Sequence, residues 1–318
     1  MLLGHGEIVG QQIGFAHVLV RAARCDRPAV INTMTQGIEC ALGAMICFGL
    51  ADFVYKRAAG AGVQAHHFLM VQAWFFAPTV VLYGLFTRTL AFGASALWGA
   101  AAGLFIFTGL YNFARSLNGG SVSINAPIFR LSFTITAALA VLLLHEPLTA
   151  FKLAGLALAL IAVWLLLGGD DAGATSMPRA TRSSLLRVLV ATLALGIANF
   201  IYKIGVLDGA SPATLLVAQA AVFISLATGF VCALDRGIKP ARSTWRYGAT
   251  AAFLLVFAFV LLVESLTRGE ASALVPVAQM GFVITAAVGI IFLQESFTLR
   301  KATGLLVALA ALVCLAWS

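Results

Sequence analysis

Long apolar stretches separated by short polar breaks run through most of this chain. Each stretch is close to the roughly 20 residues that an α-helix needs to cross a bilayer. Helices are favoured over strands because the runs are rich in Ala and Leu, and because only helices and closed barrels satisfy backbone polar groups in lipid. The predicted spans are residues 37–57, 66–87, 94–115, 121–144, 149–168, 184–205, 212–234, 246–267, 271–293 and 299–317.

Composition agrees with a lipid environment. The 318 residues are 61% hydrophobic and only 10% charged, with a mean hydropathy of +1.00, whereas a soluble domain carries about 25% charged residues. We therefore predict an all-α integral membrane protein with ten transmembrane helices. The net charge of +8 is typical of the positively charged cytoplasmic loops of membrane proteins. Nucleic-acid binding is not expected, because no stripe of Lys and Arg is interleaved with aromatic residues.

Two polar segments divide the chain. Residues 1–36 are predicted to be an N-terminal extension, because the apolar run Ile13–Ala23 is too short to span a membrane. This extension is interpreted as an interfacial amphipathic helix, a disordered tail, or sequence upstream of a true start at Met34. Residues 169–183 are predicted to be a linker rich in Gly, Asp, Ser and Arg. The two repeat units predicted on either side of the linker are residues 37–168 and 184–318.

The two units are related in sequence. When residues 123–160 are shifted by 149 positions onto 272–309, 15 of the 38 pairs are identical. When residues 49–76 are shifted by 147 positions onto 196–223, 10 of the 28 pairs match. Shared apolar composition does not explain why Tyr-Lys aligns with Tyr-Lys and Glu-x-x-Thr with Glu-x-x-Thr. The chain therefore contains an internal repeat.

An odd number of spans in each unit has a geometric consequence. If each unit crosses five times, the second enters from the opposite side, and the units are inverted repeats. Secondary transporters are often built in this way, with the substrate site near the midplane at the repeat interface. The orientation in the membrane is left open. The predicted loops carry 12 Lys and Arg on one side and 7 on the other, and by the positive-inside rule this count favours both termini outside.

Residues 123–167 and 272–316 share a further pattern. Each has an early proline, small residues after it, a Leu-x-Glu-x-x-Thr hinge, and then a Lys and a Gly. This pattern resembles the end of an EamA unit from the drug/metabolite transporter superfamily, and the resemblance extends over roughly residues 37–317. It implies a ten-helix fold with a cavity lined by the first four helices of each unit, and both termini in the cytoplasm. The family hinge often reads Gly-Glu, where this chain has His145-Glu146 and Gln294-Glu295.

Arg130 and Asp52 are the clearest candidates for a binding site. Arg130 lies about nine residues inside the fourth predicted span, where an ionisable side chain normally faces a cavity or a partner. It is predicted to bind an anionic group of a substrate or, alternatively, to pair with Asp52 and only fasten helices together. Asp52 is predicted to pair with Arg130, bind a cationic substrate or carry a coupling proton; alternatively it faces water at an early helix end.

Other polar residues inside the apolar runs complete the predicted site. Gln72 and Gln219 are repeat equivalents that either line the cavity or bridge helices by hydrogen bonds. The predicted substrate-binding residues are Arg130, Asp52, Tyr55, Gln72, Tyr111, Asn199, Tyr202, Gln219 and Gln279. Pro127 and Pro276 are predicted hinges, since a proline frees a backbone carbonyl and kinks a helix. Lys56 and Lys203 are predicted to extend towards the interface, and Glu146 and Glu295 to be structural.

The function predicted from these features is secondary transport of a small polar or amphipathic metabolite, with export expected. The partners are a small-molecule substrate, a coupling proton and membrane lipid, and the protein is a monomer or homodimer. No cofactor, metal or ATP drive is expected, because no metal-ligand cluster and no GxxxxGK[ST] motif is found. The alternatives are a membrane enzyme acting on lipid-linked substrates and a non-transporting membrane subunit. An enzyme would need a cluster of reactive groups, and His66-His67 has no carboxylate beside it in sequence.

Overall fold

The computed structural model describes residues 30–117, 125, 128–167, 180–234, 240–293 and 298–317. These residues form helices joined by short connections. The helices are α1 (Val30–Gly60), α2 (Ala65–Thr87), α3 (Ala96–Leu117), α4 (Ser132–Leu143), α5 (Ala150–Leu167), α6 (Ala180–Leu207), α7 (Pro212–Leu234), α8 (Arg242–Arg268), α9 (Ala271–Gln279), α10 (Phe282–Leu293) and α11 (Leu299–Ala316).

The lengths of these helices support a multi-pass membrane protein. In the described part of the chain, α2, α3, α7, α8 and most of α1 and α6 are long and apolar enough to cross a membrane. Shorter apolar helices occupy the positions of the fourth, fifth, ninth and tenth predicted spans. The all-helical membrane fold is therefore confirmed, and the number of ten spans stays a prediction.

Several predicted boundaries differ from the structure. The first helix begins at Val30, seven residues before the predicted span, and α6 and α8 begin at Ala180 and Arg242, each four residues before its own. Residues 30–36 of the predicted extension are therefore helical. Residues 1–29 of the predicted extension and most of the predicted linker 169–183 lie outside the described residues.

Each half of the chain packs mainly against the other half. Among the described helices, α1 contacts α8, α9 and α10, and its repeat equivalent α6 contacts α3 and α4. The pairs α2 with α7, α4 with α9 and α5 with α11 join equivalent helices directly. Contacts within a half are fewer for every described helix. This reciprocal pattern is what an approximate twofold axis between inverted repeats produces.

Close crossings of helices from opposite halves occur at equivalent glycines. A Cβ atom on Gly49 of α1 would lie 2.4 Å from the Gly281 carbonyl oxygen, between α9 and α10. A Cβ atom on Gly196 of α6 would lie 2.8 Å from the carbonyl oxygen of Ser132 in α4. Only glycine therefore fits at these crossings. Gly99 and Gly103 of α3, which have the spacing of a GxxxG motif, likewise lie against the α7 backbone, so this motif packs helices within the monomer.

The fourth and ninth predicted spans are both interrupted, at positions 149 residues apart. Residues 128–130 are helical, Leu131 is a turn, and α4 then begins; α9 and α10 are separated at Met280–Gly281. The amides of Leu131 and Met280 donate to oxygens three residues back, at 3.1 Å and 3.2 Å. These tighter bonds replace the usual i−4 pattern of an α-helix. Both breaks directly follow the polar residues Arg130 and Gln279.

The connections between helices fall on two faces of the bundle, because successive helices run in opposite directions. Face 1 holds the beginning of the membrane span of α1, near Thr35, and face 2 holds the end of α1, at Gly60. The described connections on face 1 are 88–95, 144–149, 208–211 and 269–270, and those on face 2 are 61–64 and 240–241.

Candidate binding site at the repeat interface

Arg130 makes two polar contacts between helices. Its guanidinium forms an ion pair with the carboxylate of Asp52 on α1. The other terminal nitrogen donates a hydrogen bond of 2.8 Å to Oε1 of Gln279, the last residue of α9. The Arg130 side chain is only 4% exposed and that of Asp52 is 20% exposed. The predicted pairing of Arg130 with Asp52 is thus present, and Gln279 joins it from the opposite half.

The contact between Arg130 and Gln279 locates the approximate twofold axis. These residues are equivalents in the repeat, since 130 plus the shift of 149 is 279. Two residues exchanged by a twofold axis can touch only close to that axis. The site therefore lies at the repeat interface, beside both helix interruptions, which is where transporters with inverted repeats bind their substrates.

Aromatic rings surround this polar group. The guanidinium carbon of Arg130 lies 5.9 Å from the ring centroid of Phe48 and 5.8 Å from that of Phe129, within cation–π range. The cavity at this point has a volume of about 30 Å³, so it holds no more than a few water molecules. Its lining consists of Phe48, Ala51, Asp52, Tyr55, Leu110, Phe113, Phe129, Arg130, Leu195, Leu255, Phe259 and Gln279.

A second small cavity lies nearer to face 2. It is lined by the end of α1, the 61–64 connection, the beginning of α2 and the end of α3, including Ala59, Phe68 and Leu117. Tyr55 lines both cavities, so its side chain stands at the boundary between them. The polar site around Arg130 therefore lies next to a cavity on the face 2 side.

The two predicted Tyr and Gln pairs bridge helices in the same manner. The hydroxyl of Tyr55 donates to Oε1 of Gln72, joining α1 to α2. The hydroxyl of Tyr202 donates to Oε1 of Gln219, joining α6 to α7. Of these four residues, Tyr55 alone lines the central cavity. The geometry favours the helix-bridging alternative for Gln72 and Gln219, and a substrate role for the four residues stays a prediction.

The remaining predicted residues lie outside the cavity lining. Asn199 is fully buried, and neither polar atom of its side chain has a hydrogen-bond partner among the described residues. Tyr111 contacts the ring of Phe230 on α7 and accepts a hydrogen bond from Arg115. Pro276 lies inside α9, four residues before the interruption, so the break is not at the proline itself. The other predicted hinge, Pro127, lies outside the described residues.

The connection between α8 and α9 on face 1 contains contacts that the sequence did not predict. Lys203 is buried and donates to the carbonyl oxygens of Leu266 at 3.0 Å and Gly269 at 2.6 Å. The side chain of Lys203 therefore ends at the α8–α9 connection on face 1, where backbone carbonyls accept its protons, and its predicted extension towards the interface stays a prediction. Glu146 accepts hydrogen bonds from the amides of Ala271 and Ser272 at 2.9 Å and 2.8 Å. Its role is structural, as predicted, but it acts on the opposite half.

Sequence reasoning also missed the aromatic lining of the cavity. The chain contains 23 Phe residues, and nothing distinguishes those at the cavity from those facing lipid by residue type. Two signals were present: Phe129 directly precedes Arg130, and Phe48 lies one helical turn before Asp52.

Comparisons with known proteins agree with this architecture. The model of the EamA-like transporter family matches residues 35–168 and 182–317. A solved crystal structure is similar to this chain with a TM-score of 0.69 and 14% identity, covering 89% of this chain and 97% of the other; at this identity the likeness shows the fold alone. An uncharacterized protein of Methanocaldococcus jannaschii is 35% identical over 72 residues, which is 23% of this chain. The match spans 53% of that relative's length, about half.

Proposed function

Because this chain belongs to the EamA-like transporter family, and is therefore a multi-pass membrane transporter, we propose that it is a secondary transporter for a small amphipathic metabolite with an anionic group. The observation that carries this proposal is the buried Arg130 at the repeat interface, shared between Asp52 and Gln279. We place the protein in the bacterial cytoplasmic membrane and expect net export, as the family resemblance implies.

The chemistry of the site defines the ligand. A guanidinium binds carboxylate or phosphate groups through paired, charge-assisted hydrogen bonds. The carboxylate of Asp52 suits a positively charged group of the same ligand, and the rings of Phe48, Phe113, Phe129 and Phe259 suit an apolar portion. A small molecule with an acid, an amine and an apolar group fits all three features. The cavity must enlarge to admit it, since its volume is about 30 Å³.

Alternating access would occur between mixed groups of helices rather than between the two sequence halves. Apart from the pair α5 with α11, the most extensive contacts join α1 to α8 and join α3 to α6 and α7, whereas α2 contacts α7 and α8 about equally and α4 contacts α6 and α9 about equally. If α2 moves with α8 and α4 moves with α6, the movement of one group against the other would separate α2 from α7 and α4 from α9. The pair Arg130 and Gln279 lies at the second of these boundaries, so the movement would change the shape of the site directly.

Asp52 is the proposed carrier of a coupling proton. An anionic substrate on Arg130 competes with the carboxylate of Asp52 for the same guanidinium. With a ligand that brings no cation to Asp52, the displaced carboxylate lacks its compensating charge in a largely apolar cavity, and protonation would then neutralise it. Binding of an anionic substrate and binding of a proton would thus favour one another. Ligand affinity is expected to depend on pH in the wild type and much less in Asp52→Asn.

A thermal-shift screen tests the site. The purified protein is heated with amino acids, amines, nucleosides, sugars and organic anions, and Arg130→Gln is compared with the wild type. We expect anionic amphipathic compounds to raise the melting temperature of the wild type alone. The double variant Asp52→Asn, Arg130→Gln removes both charges and serves as a folding control. Arg268→Gln removes a different ion-paired arginine, with Glu264, and should respond like the wild type.

The outcomes separate a binding role from a scaffold role. Equal stabilisation of the wild type and Arg130→Gln would place the ligand elsewhere. If Arg130→Gln does not fold but the folded double variant still binds the same compounds, Arg130 and Asp52 only join helices. Loss of ligand response in a folded double variant supports the proposed site.

A further inference from the structure

The connection between α8 and α9 on face 1 is attached to the first half of the chain by an ion pair. Nζ of Lys152, near the beginning of α5, pairs with the carboxylate of Glu270. The same nitrogen donates to the carbonyl oxygen of Pro147 at 2.7 Å. Glu270 directly precedes α9, whose first two amides are bound by Glu146. Two charged residues from the first half thus contact the beginning of the helix that ends at Gln279.

Burial makes this ion pair depend on the closure of face 1. Lys152 as a whole residue is 0% exposed, and a buried ammonium is tolerated only when it is paired and hydrogen-bonded. Its partner Glu270 lies on the opposite half and is 32% exposed, so separation of the two connections would break the pair and expose the Lys152 ammonium to water. Removing only the carboxylate leaves a buried cation with a single carbonyl acceptor, which strongly disfavours the closed arrangement.

The ion pair has no counterpart in the repeat sequence. Glu146 and Lys152 have equivalents in Glu295 and Lys301 at the shift of 149. The equivalent of Glu270 at that shift is Ser121, which carries no charge. The repeat sequence therefore has the lysine at both equivalent positions but the acid at only one of them. A device that acted equally on the two faces would require an acid at both positions.

We propose that the Lys152–Glu270 pair is a one-sided latch that holds face 1 closed, so that the resting transporter presents its central site towards face 2. The inference rests on the proposed function, since a latch has meaning only in a protein that alternates between two open states. It agrees with the second cavity, which lies on the face 2 side of Tyr55. Breaking the latch shifts the resting population towards opening at face 1.

Cysteine labelling at the two faces tests the latch without a substrate. In a variant without the natural cysteines, Ser272→Cys reports on face 1, because Ser272 is fully buried beside the latch. Ala59→Cys reports on face 2, because Ala59 lines the second cavity. Each reporter is placed in lipid nanodiscs and treated with a water-soluble maleimide. We expect Glu270→Gln to accelerate labelling at position 272 at least about tenfold and to slow labelling at position 59.

A matched control and the opposite reporters make the test decisive. Glu264→Gln removes another ion-paired carboxylate near face 1, whose ionic partner Arg268 lies on the same helix. The glutamine oxygen still accepts the 3.4 Å hydrogen bond from Tyr83, so both labelling rates should stay at wild-type values. Unchanged rates in Glu270→Gln would overturn the latch, and so would faster labelling at both positions, which indicates general loosening of the fold. The ligand screen fails independently: if Arg130 has no effect on binding, the proposed site is rejected while the labelling result stands.

Discussion

The crossing of α1 with the α9–α10 interruption gives a quantitative prediction. In Gly49→Ala, the new Cβ would lie 2.4 Å from the Gly281 carbonyl oxygen and 2.6 Å from Cβ of Ile284. Favourable contacts between such atoms need roughly 3.5 Å or more, so the helices must separate by about 1 Å. Neither neighbouring atom is at the end of a flexible side chain, and the substitution therefore falls at the upper end of overpacking costs, about 3 kcal/mol.

The net effect includes the better helix propensity of alanine. In a helix interior, Ala is favoured over Gly by about 1 kcal/mol, so Gly49→Ala should destabilise the protein by about 2 kcal/mol. Gly229→Ala is the matched control, because that exposed position in α7 has no atom within 4 Å of the added Cβ. The control should be neutral or stabilising. Gly196→Ala should behave like Gly49→Ala, since its Cβ would lie 2.7 Å from Cβ of Ile135.

Equilibrium unfolding in mixed micelles with increasing SDS, followed by tryptophan fluorescence, measures these differences. Gly49→Ala and Gly196→Ala should unfold at lower SDS fractions than the wild type, and Gly229→Ala should not. If Gly49→Ala matches Gly229→Ala within about 0.5 kcal/mol, the range of a harmless surface substitution, α1 does not approach Gly281 as described.

Three further substitutions test local features by the same unfolding measurement. His145 has a positive φ of 54°, so His145→Gly should stabilise the protein by about 1 kcal/mol, and a loss of stability would contradict the left-handed conformation. Tyr202→Phe leaves Oε1 of buried Gln219 without its donor and should cost about 1–3 kcal/mol, whereas Tyr111→Phe should cost little, because the Tyr111 hydroxyl contacts an exposed arginine. Asn199→Leu should stabilise the fold, because both polar atoms of the Asn199 side chain lack partners; destabilisation would reveal a partner for that amide.

Much of the fold followed from the sequence because the repeat doubled each signal. The alignment of Tyr55 with Tyr202 and of Gln72 with Gln219 anticipated two hydrogen bonds of the same kind. Gly62 and Gly209, which also align, both take positive φ values, 69° and 87°, at the turns after α1 and α6. The backbone at the hinge also shows why glycine suits this position. His145 stands where the family often has Gly and adopts a left-handed conformation that glycine takes without strain.

The central site could be predicted only in part. Arg130 and Asp52 were identifiable because a charge inside an apolar run is costly and must be compensated. The third member, Gln279, was found only as a repeat equivalent. Its contact with Arg130 depends on the position of the twofold axis, and that position cannot be read from the periodicity of the sequence. The contacts of Lys203 and Lys152 were missed for a related reason. Their partners lie at the end of α8 and in the connection after it, more than 60 residues away along the chain.

The packing of each half against the other also constrains the order in which the protein folds during synthesis. The helices of the first half synthesised at the ribosome have their main neighbours among helices that do not yet exist. During that interval Lys152 lacks Glu270, and Glu146 lacks the amides of α9. The first half must therefore wait in the membrane as loosely associated helices. Folding can be completed only after α9 has been inserted, so late truncation of the chain would leave no independently stable unit for the cell to retain.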